Sequence, residues 1–406
     1  MRANDGAALL FLRDAGPPGP LSNLYVHVPW CRDRCTYCAF PTAPDAPALH
    51  AEFVEALARR VASQRWPAPL RTLYLGGGTP ALLAPERLGR LLGEISRCAS
   101  FDPSIEITLE ANPANIDAGA LAAWARLGIT RVSLGVQTFR DEVLHGLARL
   151  HSGADARRAL GLLASDWRGA WSADLLAGWH GQTEADLAGD LEQLLAFAPP
   201  HVSVYGLTVE PRTPLATLAR RGRPVTAARR LHAPFDALWT ARLAAAGLER
   251  YEVSNFARPG SRSRHNQAYW ANADYLGLGP GAASSRDGLR WVEREEPRAW
   301  MAAARAGSGV RRMVERVAPA QRLLESVAVG LRTRDGVRVA ELERRFGAGW
   351  RERVLPAAQP LLDAGVLQFD DALHLPPAEL ARADAVARTL AAACLADAPH
   401  VARAAP

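Results

Sequence analysis

Apolar and polar positions along the chain fall into a rhythm that changes twice. From Leu24 onward, short β-rich runs alternate with helical patterns. Strands are expected at residues 24–28, 72–75, 105–109, 131–134, 172–176 and 202–207. Helices are expected near 45–64, from Pro85, from Asp117, near Arg140, from Gly153 and from Glu184. In the first of these, Leu49, Phe53, Leu57 and Val61 recur at spacing four, one apolar stripe suited to packing on a sheet. Strands and helices alternating at this length predict a parallel sheet with crossover helices, and about six strand–helix units fit before residue 260. After about residue 248 the pattern turns irregular and ends in the glycine-rich stretch Gly277-Leu278-Gly279-Pro280-Gly281. Regular helices return near Pro319. Two short runs at 366–369 and 372–375, joined by Asp370-Asp371, then close a small helical module of winged-helix character.

The expected organisation is a flexible leader over 1–20, a core over 21–260, a connecting segment over 261–318 and a C-terminal module over 319–406. The fold class is α/β, an incomplete parallel (β/α)6 barrel with a small helical, winged-helix-like domain.

Composition adds little to this. With 406 residues, 49% apolar and 22% charged, the chain resembles an ordinary globular protein with room for a large core. Its basic residues are all arginine, and the net charge of +6 suits an anionic ligand. The arginines are scattered, so a nucleic-acid partner is not expected. No run of 18 apolar residues is free of charge, so no membrane span is expected, and peripheral contact with a membrane stays open. The N-terminus lacks a signal-peptide pattern, and cytoplasm is the expected location.

The chemistry starts at Cys31-Arg32-Asp33-Arg34-Cys35-Thr36-Tyr37-Cys38, a C-x3-C-x2-C cluster directly after the first expected strand. Clustered cysteines far from the remaining pair, Cys98 and Cys394, read as a metal or iron–sulfur site. Three thiolates leave one iron of a four-iron cluster open to a non-protein ligand. A zinc ion completed by a distant His or Asp is the other reading. The other motifs follow later strands, where the loops of an α/β barrel carry its chemistry. These are Gly76-Gly77-Gly78-Thr79-Pro80, then Glu110-Ala111-Asn112-Pro113, then Gln137, with Asp174 inside the next run. The glycine stretch lets backbone pass close to a ligand.

Together these stretches resemble the radical S-adenosylmethionine superfamily. The order 24–31, 75–80, 107–113, 133–137, 251–256 and 265–270 is similar to the subgroup of oxygen-independent coproporphyrinogen III dehydrogenase (HemN) and the heme chaperone HemW. The resemblance covers roughly residues 22–380. It implies a [4Fe–4S] cluster on Cys31, Cys35 and Cys38, with S-adenosylmethionine chelating the open iron. It also implies S-adenosylmethionine contacts from Tyr25, Gly77, Gly78, Thr79, Glu110, Gln137, Arg149 and Asp174. The dehydrogenase pattern has a further cysteine two residues after the third, where this chain has Phe40. The string His265-Asn266-Gln267-Ala268-Tyr269-Trp270 matches an H-N-x-x-Y-W motif that the chaperones associate with heme.

The implied function is therefore a heme chaperone that passes heme to an acceptor protein of unknown identity. The alternatives are oxidative decarboxylation of coproporphyrinogen III and another radical reaction such as methyl transfer. His265 is the expected axial ligand, with Arg262 and Arg264 suited to the propionates. Since this segment follows the last barrel unit, it can lie over the barrel mouth. Two departures from the family pattern, Trp179-His180 and Ala283, leave the ligand pocket open to divergence, and His180 is the second histidine candidate.

Overall fold

The computed structural model describes residues 21–347 and 349–396. The expected leader and the last residues of the tail lie outside them. Six strands pair in chain order and in parallel: β1 (Asn23–Val28), β2 (Leu70–Gly77), β3 (Phe101–Ala111), β4 (Arg131–Gln137), β5 (Ala170–Ala177) and β6 (His201–Gly206). Helices follow each of them. They are α1 (His50–Ala62), α2 (Pro85–Cys98), α3 (Ala118–Arg126), α4 (Asp141–Gly146) with α5 (Gly153–Ser165), α6 (Glu184–Leu195), and α7 (Pro214–Arg220) with α8 (His232–Ala245).

The helix starts follow from local chemistry. Asp117 accepts the Ala120 amide, while Ser152 with Asp155 and Thr183 with Asp186 form reciprocal capping boxes that satisfy first-turn donors. On α1, Phe53, Leu57 and Val61 are buried as their spacing predicts, and Leu49 at its head is half-buried.

The strands alternate strictly, and their outward faces are apolar. Leu24, Val26 and Val28, then Leu73 and Leu75, Val132 and Leu134, and Val202 and Val204 are all buried in the core that the helices cover. The inward face is polar instead. It carries Asn23, Tyr25 and His27; Thr72 and Tyr74; Glu106, Thr108 and Glu110; Ser133; Ser172 and Asp174; and Ser203 and Tyr205. With a period of two, each strand presents one set to the helices and the other to the lumen.

The sheet extends beyond six strands. β7 (Glu249–Arg250) and β8 (Asn255–Ala257) join antiparallel beside β6. A further strand, β9 (Leu276–Leu278), joins β1 in parallel at the opposite edge. The resulting order is β9-β1-β2-β3-β4-β5-β6-β8-β7, and no hydrogen-bonded pairing among the described residues joins its two ends, so the barrel is incomplete. The expected glycine turn thus contains a strand. Gly279 explains why a glycine is needed there, with φ at +118° and a Cβ position 2.3 Å from the His27 carbonyl oxygen.

Residues 261–318 also supply α9 (Arg264–Trp270), β10 (Ala283–Arg286), β11 (Leu289–Glu293), α10 (Pro297–Ala306) and β12 (Arg311–Arg316). The strands β10, β11 and β12 form a small antiparallel sheet.

A second apolar core gathers Leu323, Val327, Leu342, Trp350, Leu373 and Leu390. It is built from α11 (Pro319–Gly330), α12 (Val339–Phe346), α13 (Gly349–Asp363) and α14 (Ala383–Ala396). The expected ribbon is β14 (Gln368–Phe369) with β15 (Ala372–His374), and β13 (Val337–Arg338) pairs with β15 as an added third strand. Among the described residues, no helix is long and apolar enough to cross a membrane.

Candidate functional site

The cysteine loop leaves β1 at the C-terminal end of the sheet and is tied down on several sides. Short parallel strands Trp30–Cys31 and Ala43–Pro44 clamp its two ends. The Thr36 amide donates to the Leu147 carbonyl, and the Thr36 carbonyl accepts the Leu215 amide. All three cysteines are half-buried free thiols. Burial pushes the Cys31 thiol up to about 11 and raises that of Cys38. Such thiols become thiolates only against a strongly cationic partner.

Among the described residues, no three His, Cys, Asp or Glu side chains converge as a cage for one metal ion. Phe40, at the place of the dehydrogenase's extra cysteine, is 64% exposed.

Of the candidate S-adenosylmethionine contacts, Thr79 and Arg149 share a cleft with the cysteine loop. The Arg149 guanidinium donates to Asn112 Oδ1 at 2.6 Å, to the Gly135 carbonyl at 2.8 Å and to Cys35 Sγ at 3.4 Å. Asn112 in turn donates to Thr79 Oγ1 at 3.2 Å, and that hydroxyl lies 3.8 Å from Cys31 Sγ. Arg149, Thr79, Asn112 and Cys35 line one cleft with Arg32, His151 and Leu150. Asn112 stands inside the Glu110–Pro113 motif, but the sequence assigned it no contact of its own. Its signal was its position two residues beyond Glu110 at a strand end.

Backbone strain marks the same place. Gln137 sits at φ +69° beside a register shift between β4 and β5, and Ala148, immediately before Arg149, sits at +56°. Left-handed non-glycine residues concentrate where surrounding structure must aim a side chain.

The glycine stretch is crowded by the protein itself. A Cβ at Gly76 would meet Tyr74 at 2.7 Å and the Glu110 carboxylate at 3.0 Å, one at Gly77 would meet the His27 ring at 2.5 Å, and one at Gly78 would meet the Trp30 carbonyl at 2.6 Å. Gly77 also has φ at +108°. The glycines are thus required by close packing onto β1 and β3, whatever ligand their amides meet.

Tyr25 donates to His27 Nδ1 at 2.9 Å, because the other ring nitrogen must donate to the Pro41 carbonyl at 2.7 Å. Burial lowers the His27 pKa to about 4, so this neutral imidazole latches the exit of the cysteine loop.

Two carboxylates face the lumen below. Glu110 accepts from the Tyr74 hydroxyl at 2.7 Å and from the Gly77 amide at 3.0 Å. Asp174 accepts from Ser133 at 3.4 Å, and the Ser203 hydroxyl is a second donor beside it. Burial raises Glu110 to about 7 and Asp174 to about 6, and the Asp174 charge adds to the rise at Glu110. Carboxylates in such a lumen can accept hydrogen bonds from hydroxyl or ammonium donors.

His265 lies elsewhere. β8 runs antiparallel to β6 and carries the chain down to His201, so α9 starts at the N-terminal end of the sheet and not over the mouth. There His265 is 1% exposed, and both ring nitrogens are engaged. Thr72 donates its hydroxyl to Asn23 at 3.0 Å and therefore accepts from His265 Nδ1 at 2.8 Å, leaving Nε2 to accept from Tyr269 at 3.0 Å. Burial lowers the His265 pKa to about 3. Arg262 pairs with Asp335 at 2.7 Å, and Arg264 donates to Ser104. Trp270 lines a cavity of about 360 Å3 between the core and α12, and Arg264 and Ala268 line an open groove on the other side of α9. His180 is exposed, and its backbone amide donates to the Val225 carbonyl.

Comparison with known proteins gives the family. The Radical SAM superfamily model matches residues 25–194, and the HemN C-terminal domain model matches 317–381. The fold is similar to coproporphyrinogen III oxidase (HemN) of Escherichia coli, with a TM-score of 0.79 over 94% of this chain and 95% of that one, at 19% identity. A heme chaperone HemW of Synechocystis sp. is 38% identical over 78% of this chain and 79% of its own length. One from Mycobacterium tuberculosis strain H37Rv is 35% identical over 92% and 95%. With that identity over most of both chains, and with the cysteine loop and the HNxxYW helix in place, the chain belongs to the HemW family of the radical SAM superfamily.

Proposed function

We propose that this protein is a heme chaperone that carries a [4Fe–4S] cluster and S-adenosylmethionine and passes heme to an acceptor protein. The observation that carries this reading is the identity of 35% or more to relatives named heme chaperone HemW, extending over 78% of the chain or more. Cys31, Cys35 and Cys38 would hold the cluster. When bound, the reduced cluster supplies an electron that can cleave S-adenosylmethionine.

The surrounding side chains have separable tasks. Arg149 neutralises the charge around Cys35 and adds a fixed positive charge that suits a carboxylate nearby. Asp174 and Glu110 accept donors from the sugar or amino group. Tyr25, Gly77, Gly78, Thr79 and Gln137 shape the remaining wall.

Heme would lie along α9, where Trp270 and Arg264 border open space on either side. Ligation by His265 would require Nε2 to be released from the Tyr269 hydroxyl. The core under the barrel helices and the core gathered after Pro319 support reading a barrel unit followed by a C-terminal unit. Cytoplasm is the location this reading assigns.

Coproporphyrinogen decarboxylation is the enzyme alternative, and Phe40 in place of the extra cysteine argues against it. Anaerobic reconstitution followed by separate assays of heme retention and coproporphyrinogen conversion tests the choice. Retained heme with no decarboxylation is expected, and formation of protoporphyrinogen would overturn the chaperone reading.

A further inference from the structure

The imidazole of His265 stacks on the ring of Tyr74, with centroids 5.0 Å apart and planes 29° from parallel. The far end of that tyrosine donates to Glu110, whose second oxygen takes the Gly77 amide. One side chain thus spans the lumen between the HNxxYW helix and the glycine stretch beside the cysteine loop. Thr72 and Gly77 are five strand positions apart, roughly 16 Å at about 3.3 Å per residue. His265 is therefore too far from the cleft to touch a ligand there, yet it touches the residue that holds Glu110.

His265 is well built for such a task. Its Nδ1 donates to Thr72 and its Nε2 accepts from Tyr269, whose ring meets the imidazole edge-on at 4.7 Å. Its own amide donates to Glu106 Oε1 at 3.0 Å, and Ser263 caps the helix that carries it. A ring fixed by two side-chain hydrogen bonds, one backbone hydrogen bond and an edge contact gives Tyr74 a rigid floor. Glu110 has equally little freedom on its other side, since its carboxylate fills the place a Cβ would take at Gly76.

We propose that His265 and Tyr74 are positioning residues for the S-adenosylmethionine pocket: His265 holds the Tyr74 ring, and Tyr74 holds the Glu110 carboxylate toward the ligand. The proposal rests on the reading of Glu110 as an S-adenosylmethionine contact. It gives the HNxxYW helix a role at the radical centre that is independent of iron ligation.

Contact along a chain of residues is not in itself coupling, so the test is a double-mutant cycle. S-adenosylmethionine affinity of the anaerobically reconstituted full-length protein is measured by equilibrium dialysis. The change that S-adenosylmethionine makes in the electron paramagnetic resonance signal of the reduced cluster, and the melting temperature, are followed alongside. Tyr74→Phe deletes one hydrogen bond to a charged acceptor and should weaken binding about tenfold. His265→Ala should weaken it about three- to tenfold in the wild-type background and not at all in the Tyr74→Phe background. His265→Phe keeps a ring under Tyr74 while losing the hydrogen bonds, so it should lower the melting temperature yet bind S-adenosylmethionine within about twofold of wild type. Wild-type affinity in Tyr74→Phe or His265→Ala, or full additivity of the two, overturns the relay alone. Absence of binding to the wild-type protein overturns the pocket reading and the relay with it.

Discussion

The Arg149 guanidinium lies 3.4 Å from the Cys35 sulfur and 2.6 Å from Asn112 Oδ1, so one cation joins the cysteine loop to the end of the third strand. Its place is set by the left-handed Ala148 just before it. Because the contacts use both terminal nitrogens of a planar group, lysine cannot reproduce them. Arg149→Lys should lose bonds to Asn112 and the Gly135 carbonyl and lower apo-protein stability by about 1–3 kcal/mol. Calorimetry of the apo protein checks that effect. Iron counts after reconstitution should fall as well, and an unchanged melting temperature with full iron content would refute the assignment.

The lumen carboxylates make stability and ligand binding respond to pH in opposite directions. Glu110 at about 7 and Asp174 at about 6 hold protons more tightly in the folded chain than in the unfolded one. Between the unfolded values near pH ~4 and these folded values, the unfolded state binds fewer protons, so stability falls as pH rises. The same rise creates the anions that accept a cationic, donor-rich ligand. S-adenosylmethionine affinity should therefore increase from pH 5.5 to 8 while apo stability from these two groups declines. Glu110→Gln and Asp174→Asn should flatten both profiles, measured by urea unfolding and equilibrium dialysis across that range. Stability rising with pH in the wild type but not in these variants would show the wrong sign.

A different buried charge is structural. Arg60 on α1 and Glu293 on β11 are 2.9 Å apart and at most 3% exposed, and Glu293 also accepts the Gly279 amide and the Trp300 indole. This ion pair fastens the glycine-rich turn to the first helix. Glu293→Gln weakens the charge-assisted bonds that this carboxylate takes from Arg60, the Gly279 amide and the Trp300 indole, and should cost about 1.5–3 kcal/mol of stability. Denaturant unfolding of the apo protein decides this, and wild-type stability in Glu293→Gln would count against it.

The barrel was legible because its evidence is local. Six apolar runs, their helix caps and the cysteine spacing are all written within short windows, as the capping boxes at Ser152 and Thr183 illustrate. The polar lumen was legible in principle as the alternate residues of those same strands. What sequence could not carry was long-range placement. Leu276–Leu278 pairs with Leu24–Val26 across some 250 positions, and nothing in a Leu-Gly-Leu string announces a strand. The position of α9 depends likewise on β8 turning the chain back along β6, which no local pattern specifies. Asn112, Tyr74 and His27 went unnoticed as linking residues because their partners are remote or lie on other strands.

The last prediction concerns iron ligation by His265. In the structure its Nε2 lone pair is occupied by the Tyr269 hydroxyl at 3.0 Å, and Nδ1 carries the proton given to Thr72. If heme iron takes this nitrogen, binding must first break the tyrosine contact, a cost of about 0.5–1.5 kcal/mol for a neutral hydrogen bond. Tyr269→Phe removes that competition and keeps the ring that packs edge-on against the imidazole. It should therefore tighten heme binding about two- to tenfold without moving the Soret band of the bound state. His265→Ala should loosen heme and shift the band, whereas His180→Ala, at an exposed position, should do neither. His265→Phe should lose heme but keep S-adenosylmethionine, which separates ligation from support of Tyr74. Heme titrations of the four variants, with melting temperatures as controls, give the answer. Tyr269→Phe and His265→Ala both binding heme as the wild type does would move the iron to another ligand, with His180 the next to examine.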